Sequence, residues 1–143
     1  MILCPYCDRR ARLVTGAHIY RNRPDLAALR FWRCDPCDAH VGCHQRGQRV
    51  QVGDRKVRSD GARPLGRLAN AELRAAKQRA HAAFDPLWRS GEMERRDAYA
   101  WLAGALGISG ANCHIGMFDV DGCEAVIAAV SARAAGLTPR AAA

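Results

Sequence analysis

The sequence predicts an α+β protein in which a small N-terminal zinc ribbon with short antiparallel β-strands precedes a three-helix C-terminal bundle. Two observations support this prediction. Residues 1–45 contain two Cys-x-x-Cys pairs, which are typical of a four-cysteine zinc ribbon. In residues 68–137, apolar side chains recur at every third or fourth position, which is the period of amphipathic helices. Residues 46–67 are predicted to form a basic loop or hairpin, and residues 138–143 are predicted to form a disordered tail.

The N-terminal element is predicted to fold around one structural zinc ion. Each Cys-x-x-Cys turn directs two thiolates toward one point, and two turns complete the tetrahedral sulfur shell that Zn²⁺ prefers. Because four sulfur ligands leave no open coordination position, the ion would hold the chain together rather than activate water. The long spacer between the pairs predicts a hairpin with strands at residues 12–14 and 18–20. The predicted ligands are Cys4, Cys7, Cys34 and Cys37.

Three further cysteines are not assigned to this site. Cys113 and Cys123 fall in apolar helical segments, where a free cysteine behaves as a small buried hydrophobic residue. The segment that contains His40, Cys43 and His44 could supply a substitute ligand or bind a second ion, since sulfur and imidazole both suit zinc. The sequence favours a short strand that passes the second cysteine pair, and a contribution of these three residues to metal binding stays open.

Cysteine use and hydropathy predict a soluble cytoplasmic protein that does not enter a membrane. A thioredoxin-like redox pair would need one Cys-x-x-Cys beside a βαβ pattern, whereas this sequence has two pairs and no such pattern. A secreted chain with disulfides would need a signal peptide, and Cys4 lies where its charged and apolar regions would be. No apolar run approaches the roughly 18 residues of a membrane span.

The positive charge is concentrated in the first half of the chain. Residues 1–68 carry the entire formal charge of +8, and residues 69–143 are neutral overall. A basic arm beside a zinc ribbon predicts contacts with the phosphates of DNA or RNA, and Tyr20, Phe31 and Trp32 could add stacking surfaces. The alternatives are a solvated loop and a compositional bias, since arginine greatly outnumbers lysine. The predicted nucleic-acid contacts are Arg46, Arg49, Arg55, Lys56, Arg58, Arg63 and Arg67.

Three amphipathic helices are predicted after residue 68. The first follows Asn70 as a plausible N-cap and ends near Pro86, and the second runs from about residue 94 to 106 with Gly107 as its stop. The third begins near Asp119 and ends at residue 136. Their apolar stripes comprise Leu73, Ala76, Ala80, Phe84 and Leu87, then Ala98, Trp101, Leu102 and Ala105, then Cys123, Val126, Ile127, Val130 and Ala134.

No catalytic site is predicted. His81 and Asp85 are one helical turn apart and are explained by a surface ion pair, while Asp119 and Asp121 are explained by helix capping. The sequence lacks the His-x-Glu of zinc deaminases, a phosphate-binding glycine loop and a serine elbow.

Several segments resemble a zinc-finger-containing family found in bacteriophages and prophages, and the two cysteine pairs match as well. These segments are Arg-Pro-Leu-Gly-Arg-Leu-Ala at 63–69, Ala-His-Ala-Ala-Phe-Asp-Pro-Leu-Trp at 80–88, Ala-Tyr-Ala-Trp-Leu at 98–102 and Cys-His-Ile-Gly-Met-Phe-Asp at 113–119. The resemblance implies the ligand role of the four cysteines, a phage origin and a location in the bacterial host cytoplasm, and it implies no specific function. This chain departs from the family by inserting residues 47–62 and by placing Cys43 where an aliphatic residue is expected.

Two functions are compatible with these features. The first is a phage or prophage accessory or regulatory protein that binds nucleic acid through the zinc-containing, basic half. The second is an adaptor or inhibitor that docks on a host protein that handles nucleic acid, for which Trp88 and Trp101 would be candidate anchors. The oligomeric state is not predicted.

Overall fold

The computed structural model describes residues 1–137, so the predicted disordered tail at 138–143 lies outside the described residues. The chain divides into two compact units, the first comprising Met1–Ala71 and the second beginning at Glu72. The first unit is built from antiparallel strands and the second from helices, which confirms the predicted α+β class. Among the described residues, no helix is both long enough and apolar enough to cross a membrane.

The first unit contains a three-stranded antiparallel sheet. Its strands are β1 (Arg12–Thr15), β2 (Arg30–Cys34) and β3 (Ala39–Gly42), in the order β1-β2-β3. Apolar and aromatic side chains face one another across the strands, since Leu13 and Val41 both pair with Trp32. Such cross-strand pairs stabilise a sheet.

The prediction of a hairpin inside the cysteine spacer is wrong. A single helical turn, α1 (Gly16–Ile19), and a 3₁₀ turn at Pro24–Leu26 replace its second strand, and β1 pairs with β2 instead. The cause is a close approach of two backbone segments at Gly16, where an added Cβ would lie 1.8 Å from the Leu26 carbonyl oxygen. Only glycine leaves room for the two backbone segments to approach this closely. Gly16 therefore serves this contact and does not form the turn of a hairpin.

Residues 46–67 include a two-stranded hairpin, formed by β4 (Arg49–Val52) and β5 (Arg55–Arg58). Gly53 occupies the first position of its two-residue turn with a φ of 60°, a conformation that glycine adopts readily in hairpin turns. At the other end, the buried Ser59 fixes the base. Its backbone N–H donates to the Gln48 carbonyl at 2.8 Å, and its hydroxyl donates to the His44 carbonyl at 3.2 Å.

After the hairpin, the chain returns along β3. His44 donates its backbone N–H to the Arg63 carbonyl at 2.8 Å, and Leu65 donates to the Gly42 carbonyl at 2.8 Å. Farther along, Ala69 donates to the His40 carbonyl at 2.9 Å. The hairpin is therefore part of the connection between two extended segments that are hydrogen-bonded to each other.

The helical part of the chain has four helices within the described residues, and not the three that the sequence predicted. They are α2 (Ala71–Phe84), α3 (Pro86–Arg89), α4 (Arg95–Leu106) and α5 (Val120–Ala134). The additional helix, α3, begins at Pro86. Proline has no backbone N–H to continue α2, but its fixed φ suits the first position of a new helix.

The predicted stripe of the first helix is buried, whereas the other two stripes match in part: Ala103 and Ala129 are buried outside them, and Ala134 is exposed. Phe84 is fully buried, and its ring meets that of Tyr99 edge-on with centroids 4.7 Å apart. Cys113 and Cys123 are buried as expected, and burial raises the pKa of both thiols. The other buried residues of α2, α4 and α5 are Leu73, Ala76, Ala80, Ala98, Leu102, Ala103, Val126 and Ala129.

Two helix ends have defined caps. Gly107 adopts a φ of 67° at the end of α4. Ile108 and Gly107 then donate their backbone N–H groups to the Ala103 and Gly104 carbonyls at 3.0 and 3.2 Å, which is a Schellman motif. At the start of α5, the Asp119 carboxylate accepts a hydrogen bond from the Gly122 N–H at 2.8 Å.

We expect Asp119→Ala to destabilise the helical unit by about 1 kcal/mol, because the change leaves a helix-terminal N–H without its acceptor. The free energy of unfolding can be measured by urea titration with helical circular dichroism as the signal. Asp121→Ala is the matched control, since it removes the same charge from the first turn without removing the cap. Equal losses in the two variants would contradict the capping role.

Candidate metal centre

The first cysteine pair lies in a tight N-terminal hairpin. Cys4 donates its backbone N–H to the Arg9 carbonyl at 2.8 Å, and Ala11 donates to the Ile2 carbonyl at 2.9 Å. These bonds align the segments before and after the pair, so that the turn between them carries Cys4 and Cys7.

The second cysteine pair lies in the turn between β2 and β3. Cys34 is the last residue of β2, and β3 begins at Ala39, so the sheet itself positions this turn. The sulfur atoms of the second pair therefore depend on the pairing of these two strands.

An aspartate in the left-handed conformation follows each pair. Asp8 has a φ of 59° and Asp38 a φ of 48°, a region that aspartate tolerates better than most residues. Asp8 donates its backbone N–H to the Cys4 carbonyl at 2.9 Å, and Asp38 donates to the Asp35 carbonyl at 3.1 Å. Both turns thus fold the chain back immediately after the second cysteine.

The four predicted ligands come together in one cluster. The sulfur atoms of Cys4, Cys7, Cys34 and Cys37 all lie within 4.8 Å of one another, and the Cys7 and Cys34 sulfurs are 3.7 Å apart. A tetrahedral zinc site with Zn–S bonds of about 2.3 Å requires sulfur separations of about 3.8 Å. In residues 1–137 this is the only group of three or more histidine, cysteine, aspartate or glutamate side chains that could hold a metal ion. The cluster points to a zinc ion.

The thiols of the cluster have different pKa values because their surroundings differ. The Arg9 backbone N–H lowers the pKa of Cys7, whereas burial raises the pKa of Cys34. The hydrogen bond with Cys7, followed by burial, raises the pKa of Cys37 to about 12. Four thiolates cannot be held this close without positive charge between them. A divalent ion would supply that charge and displace the thiol protons.

His40, Cys43 and His44 do not belong to the cluster. His40 is buried against the rings of Tyr20 and Phe31, with centroids 5.7 and 6.0 Å away. The backbone N–H of Cys43 donates to a carbonyl of the neighbouring strand β2, and burial raises the pKa of the thiol. His44 pairs through its backbone N–H with the returning segment.

Asp35, inside the second pair, joins three elements around the centre. Its carboxylate contacts the Arg12 guanidinium of β1, the His18 Nε2 of α1 at 3.2 Å and the Arg33 Nε of β2 at 3.0 Å. Arg12, then Arg33 and His18, hold the pKa of Asp35 well below its usual range. The carboxylate is 41% exposed, so these ion pairs orient the turn more than they stabilise it.

Tyr6, inside the first pair, joins the centre to the returning segment. Its hydroxyl donates to the Leu68 carbonyl at 3.2 Å and accepts from the Asn70 N–H at 3.2 Å. The Arg67 guanidinium lies over its ring at 6.0 Å. Sequence reasoning did not identify Asp35 or Tyr6, although their positions between paired cysteines were the available signal.

The seven predicted nucleic-acid contacts divide into two groups. Arg63 and Arg67 are half-buried in the returning segment. The others are exposed and lie on the hairpin or at its base: Arg46, Arg49, Arg55, Lys56 and Arg58.

The aromatic residues that were expected to offer stacking surfaces belong to the sheet instead. Phe31 is buried, and its ring packs edge-on against Tyr20. Trp32 packs against the residues around the cysteine cluster, and its Nε1 donates to the Ala62 carbonyl at 2.6 Å. Burial argues against stacking by Phe31, whereas Tyr20 and Trp32 are half-buried, and their stacking on bases stays a prediction.

The comparisons with known proteins agree with this centre. Residues 1–133 match a family described as a zinc-finger-containing domain. No curated protein and no solved structure matches the chain. Because the family match extends over nearly the whole sequence, this protein belongs to that family of zinc-finger-containing domains.

Proposed function

We propose that this protein is not an enzyme and that it binds nucleic acid through its basic hairpin, with one structural zinc ion at the four-cysteine cluster. Four sulfur ligands leave no open position for catalysis on the metal. The observation that carries the nucleic-acid proposal is the group of unpaired cations on the hairpin.

Within residues 1–137, no carboxylate lies within ion-pair distance of the four hairpin cations, Arg49, Arg55, Lys56 and Arg58. Elsewhere the arginines commonly have acidic partners, as Arg79 has Glu124 at 2.9 Å. Four exposed, uncompensated cations on one short hairpin create a positive potential that attracts a polyanion, and each phosphate contact releases counterions.

The zinc centre supports the hairpin from both sides. The second cysteine pair precedes β3, and the segment after β3 leads to the first strand of the hairpin. From the first pair, Tyr6 binds the segment along which the chain returns. Loss of the metal would therefore release both strands from which the hairpin projects.

The resemblance to phage and prophage proteins supports a role as an accessory or regulatory factor in the cytoplasm of a bacterial host. A second candidate is an adaptor or inhibitor that docks on a host protein that handles nucleic acid. It is favoured by Trp88 and Trp101, which are half-exposed and carry Arg89 and Arg133 over their rings at 5.2 and 5.6 Å. Tryptophan and arginine are frequent anchors of protein interfaces.

We expect the zinc-loaded protein to bind fluorescent DNA or RNA with an affinity that falls steeply as salt increases. Each change of Arg49, Arg55, Lys56 or Arg58 to alanine should reduce the slope of log affinity against log salt by up to about 0.9, because one phosphate contact is lost. Fluorescence anisotropy across a salt series measures this slope. Arg96→Ala is the matched control, because it removes the same charge from α4 in the second unit.

A hairpin-deleted variant tests the same site without disturbing its base. Replacing residues 49–58 with Asn-Gly joins Gln48 to Ser59, which are hydrogen-bonded at 2.8 Å, through a favoured two-residue turn. Ser59 and Ala62 keep their contacts. Unchanged binding after this replacement, or no binding of any nucleic acid at low salt, would refute the proposal. In the second case, capture of host protein and its loss in Trp88→Ala would support the adaptor function.

We expect Cys34→Ser to lose the zinc ion and to unfold the first unit, because structural zinc binding supplies on the order of 10 kcal/mol in small zinc-dependent folds. Cys43→Ser should retain the metal, since Cys43 lies outside the sulfur cluster. Zinc content after gel filtration and the circular dichroism of the strands measure these two effects. Equal metal loss in both variants would show that the ligand set is wrong.

A further inference from the structure

The hairpin has two chemically different faces. Arg49 lies opposite Arg58, and Gln51 lies opposite Lys56. Directly opposed residues point to the same side of an antiparallel pair, as do residues two apart on one strand. These four polar side chains therefore share one face, which we call the reading face.

The opposite face is mainly apolar. It carries Val50, Val57 and Val52 together with one cation, Arg55. The first two valines are half-buried, while Val52 is 41% exposed. The valine pair packs the two strands against each other on this face. On the reading face, the Gln51 amide donates to the Gly53 carbonyl at 2.8 Å and Arg58 Nη1 donates to the Gly47 carbonyl at 3.4 Å, so an external partner would replace these two bonds.

The reading face is unfavourable by itself. Like charges placed directly opposite each other destabilise a strand pair, and an isolated two-stranded ribbon has little stability to spare. The repulsion between Arg49 and Arg58 is therefore locally unfavourable, and an anion bound to this face would reduce it.

The base of the hairpin gives this face a defined position. Ser59 donates its N–H to the Gln48 carbonyl, and Gly47 donates to the Ser59 carbonyl at 2.7 Å. The Ser59 hydroxyl also accepts from the Gly61 N–H at 3.0 Å. These bonds continue the ladder of the ribbon past Arg49, and the Ser59 hydroxyl attaches it to the His44 carbonyl, two residues after the end of β3.

We infer that the nucleic acid is double-stranded DNA and that the reading face of the ribbon enters the major groove. This inference rests on the proposed function. Two strands about 4.8 Å apart, with their side chains, fit the major groove of B-form DNA, which is about 12 Å wide and admits a two-stranded ribbon. The minor groove is too narrow at about 6 Å, and the major groove of double-stranded RNA is too deep and narrow for side chains to read.

The residue types on the reading face are those that recognise base edges. An arginine fork can bond to both major-groove acceptors of guanine, and a glutamine amide can bond to both the donor and the acceptor of adenine. Lys56 lies opposite Gln51 and can also bond to guanine or to phosphate. Arg55 lies on the other face, where it can contact only the sugar–phosphate backbone of the DNA.

The first experiment compares the full zinc-loaded protein on duplex DNA, duplex RNA and single-stranded DNA of equal length at one salt concentration. We expect duplex DNA to bind at least about tenfold more tightly than duplex RNA, because only its major groove admits the ribbon. Equal affinity for the two duplexes would overturn this inference while leaving the proposed function intact. Binding neither to these three nor to single-stranded RNA of the same length would refute the proposed function itself.

Dimethyl sulfate protection locates the groove with an internal control. The reagent methylates guanine N7 in the major groove and adenine N3 in the minor groove of the same duplex. At saturating protein, we expect N7 methylation to fall while N3 methylation stays unchanged. Protection of N3 alone, or of neither atom, would overturn the inference.

A charge-preserving variant separates base reading from simple attraction. Arg49→Lys with Arg58→Lys retains both charges but removes the two forks. We expect an unchanged salt slope together with a loss of about tenfold in the preference for duplex DNA, the change expected from lost bidentate base contacts. Arg55→Lys is the matched control on the opposite face and should keep the preference. An equal loss in both variants would contradict the assignment of the faces.

Discussion

The repulsion among four closely placed cysteine sulfurs is the constraint on which the first unit depends. Sulfur atoms within 4.8 Å of one another cannot all be thiolates unless a cation lies among them. Without a cation, burial raises the pKa of Cys34 and the hydrogen bond with Cys7 raises the pKa of Cys37. A zinc ion bound here would replace this repulsion with four metal–sulfur bonds, and its binding energy would become folding energy. Apolar residues such as Leu68 and Ala39 pack around the cluster, so metal binding and apolar burial act at the same place.

The geometry of the centre is transmitted to the rest of the unit through two side chains inside the cysteine turns. Asp35 joins the second turn to β1, α1 and β2, and Tyr6 joins the first turn to the segment around Leu68. A metal bound by the four cysteines would thereby hold both β3 and the segment that returns beside it. The hairpin lies between β3 and this segment in the chain, so its support would depend on the metal site.

The sequence predicts the local features of this protein well and the nonlocal ones poorly. The spacing of four cysteines predicts the cluster, and the stripes around Phe84 and Leu102 predict the buried helix faces, because both patterns lie within short stretches of chain. The spacer hairpin was predicted wrongly because Gly16 lies against the backbone of Leu26. A close approach between two separate segments leaves no pattern in the sequence around either residue. The separation of Arg63 and Arg67 from the hairpin cations likewise depends on pairing with β3 and Tyr6.

The place at which the basic hairpin enters the chain explains how the fold tolerates it. His44 and Arg63 are already hydrogen-bonded neighbours, so the connection between them can lengthen with only a small increase in loop-closure entropy. The buried Ser59 ends the ribbon where the paired segments begin, and the like-charged Arg49–Arg58 pair lies beyond that point. Repulsion within the hairpin is thus separated from the cysteine cluster, and the unit can present unpaired cations without weakening the site that folds it.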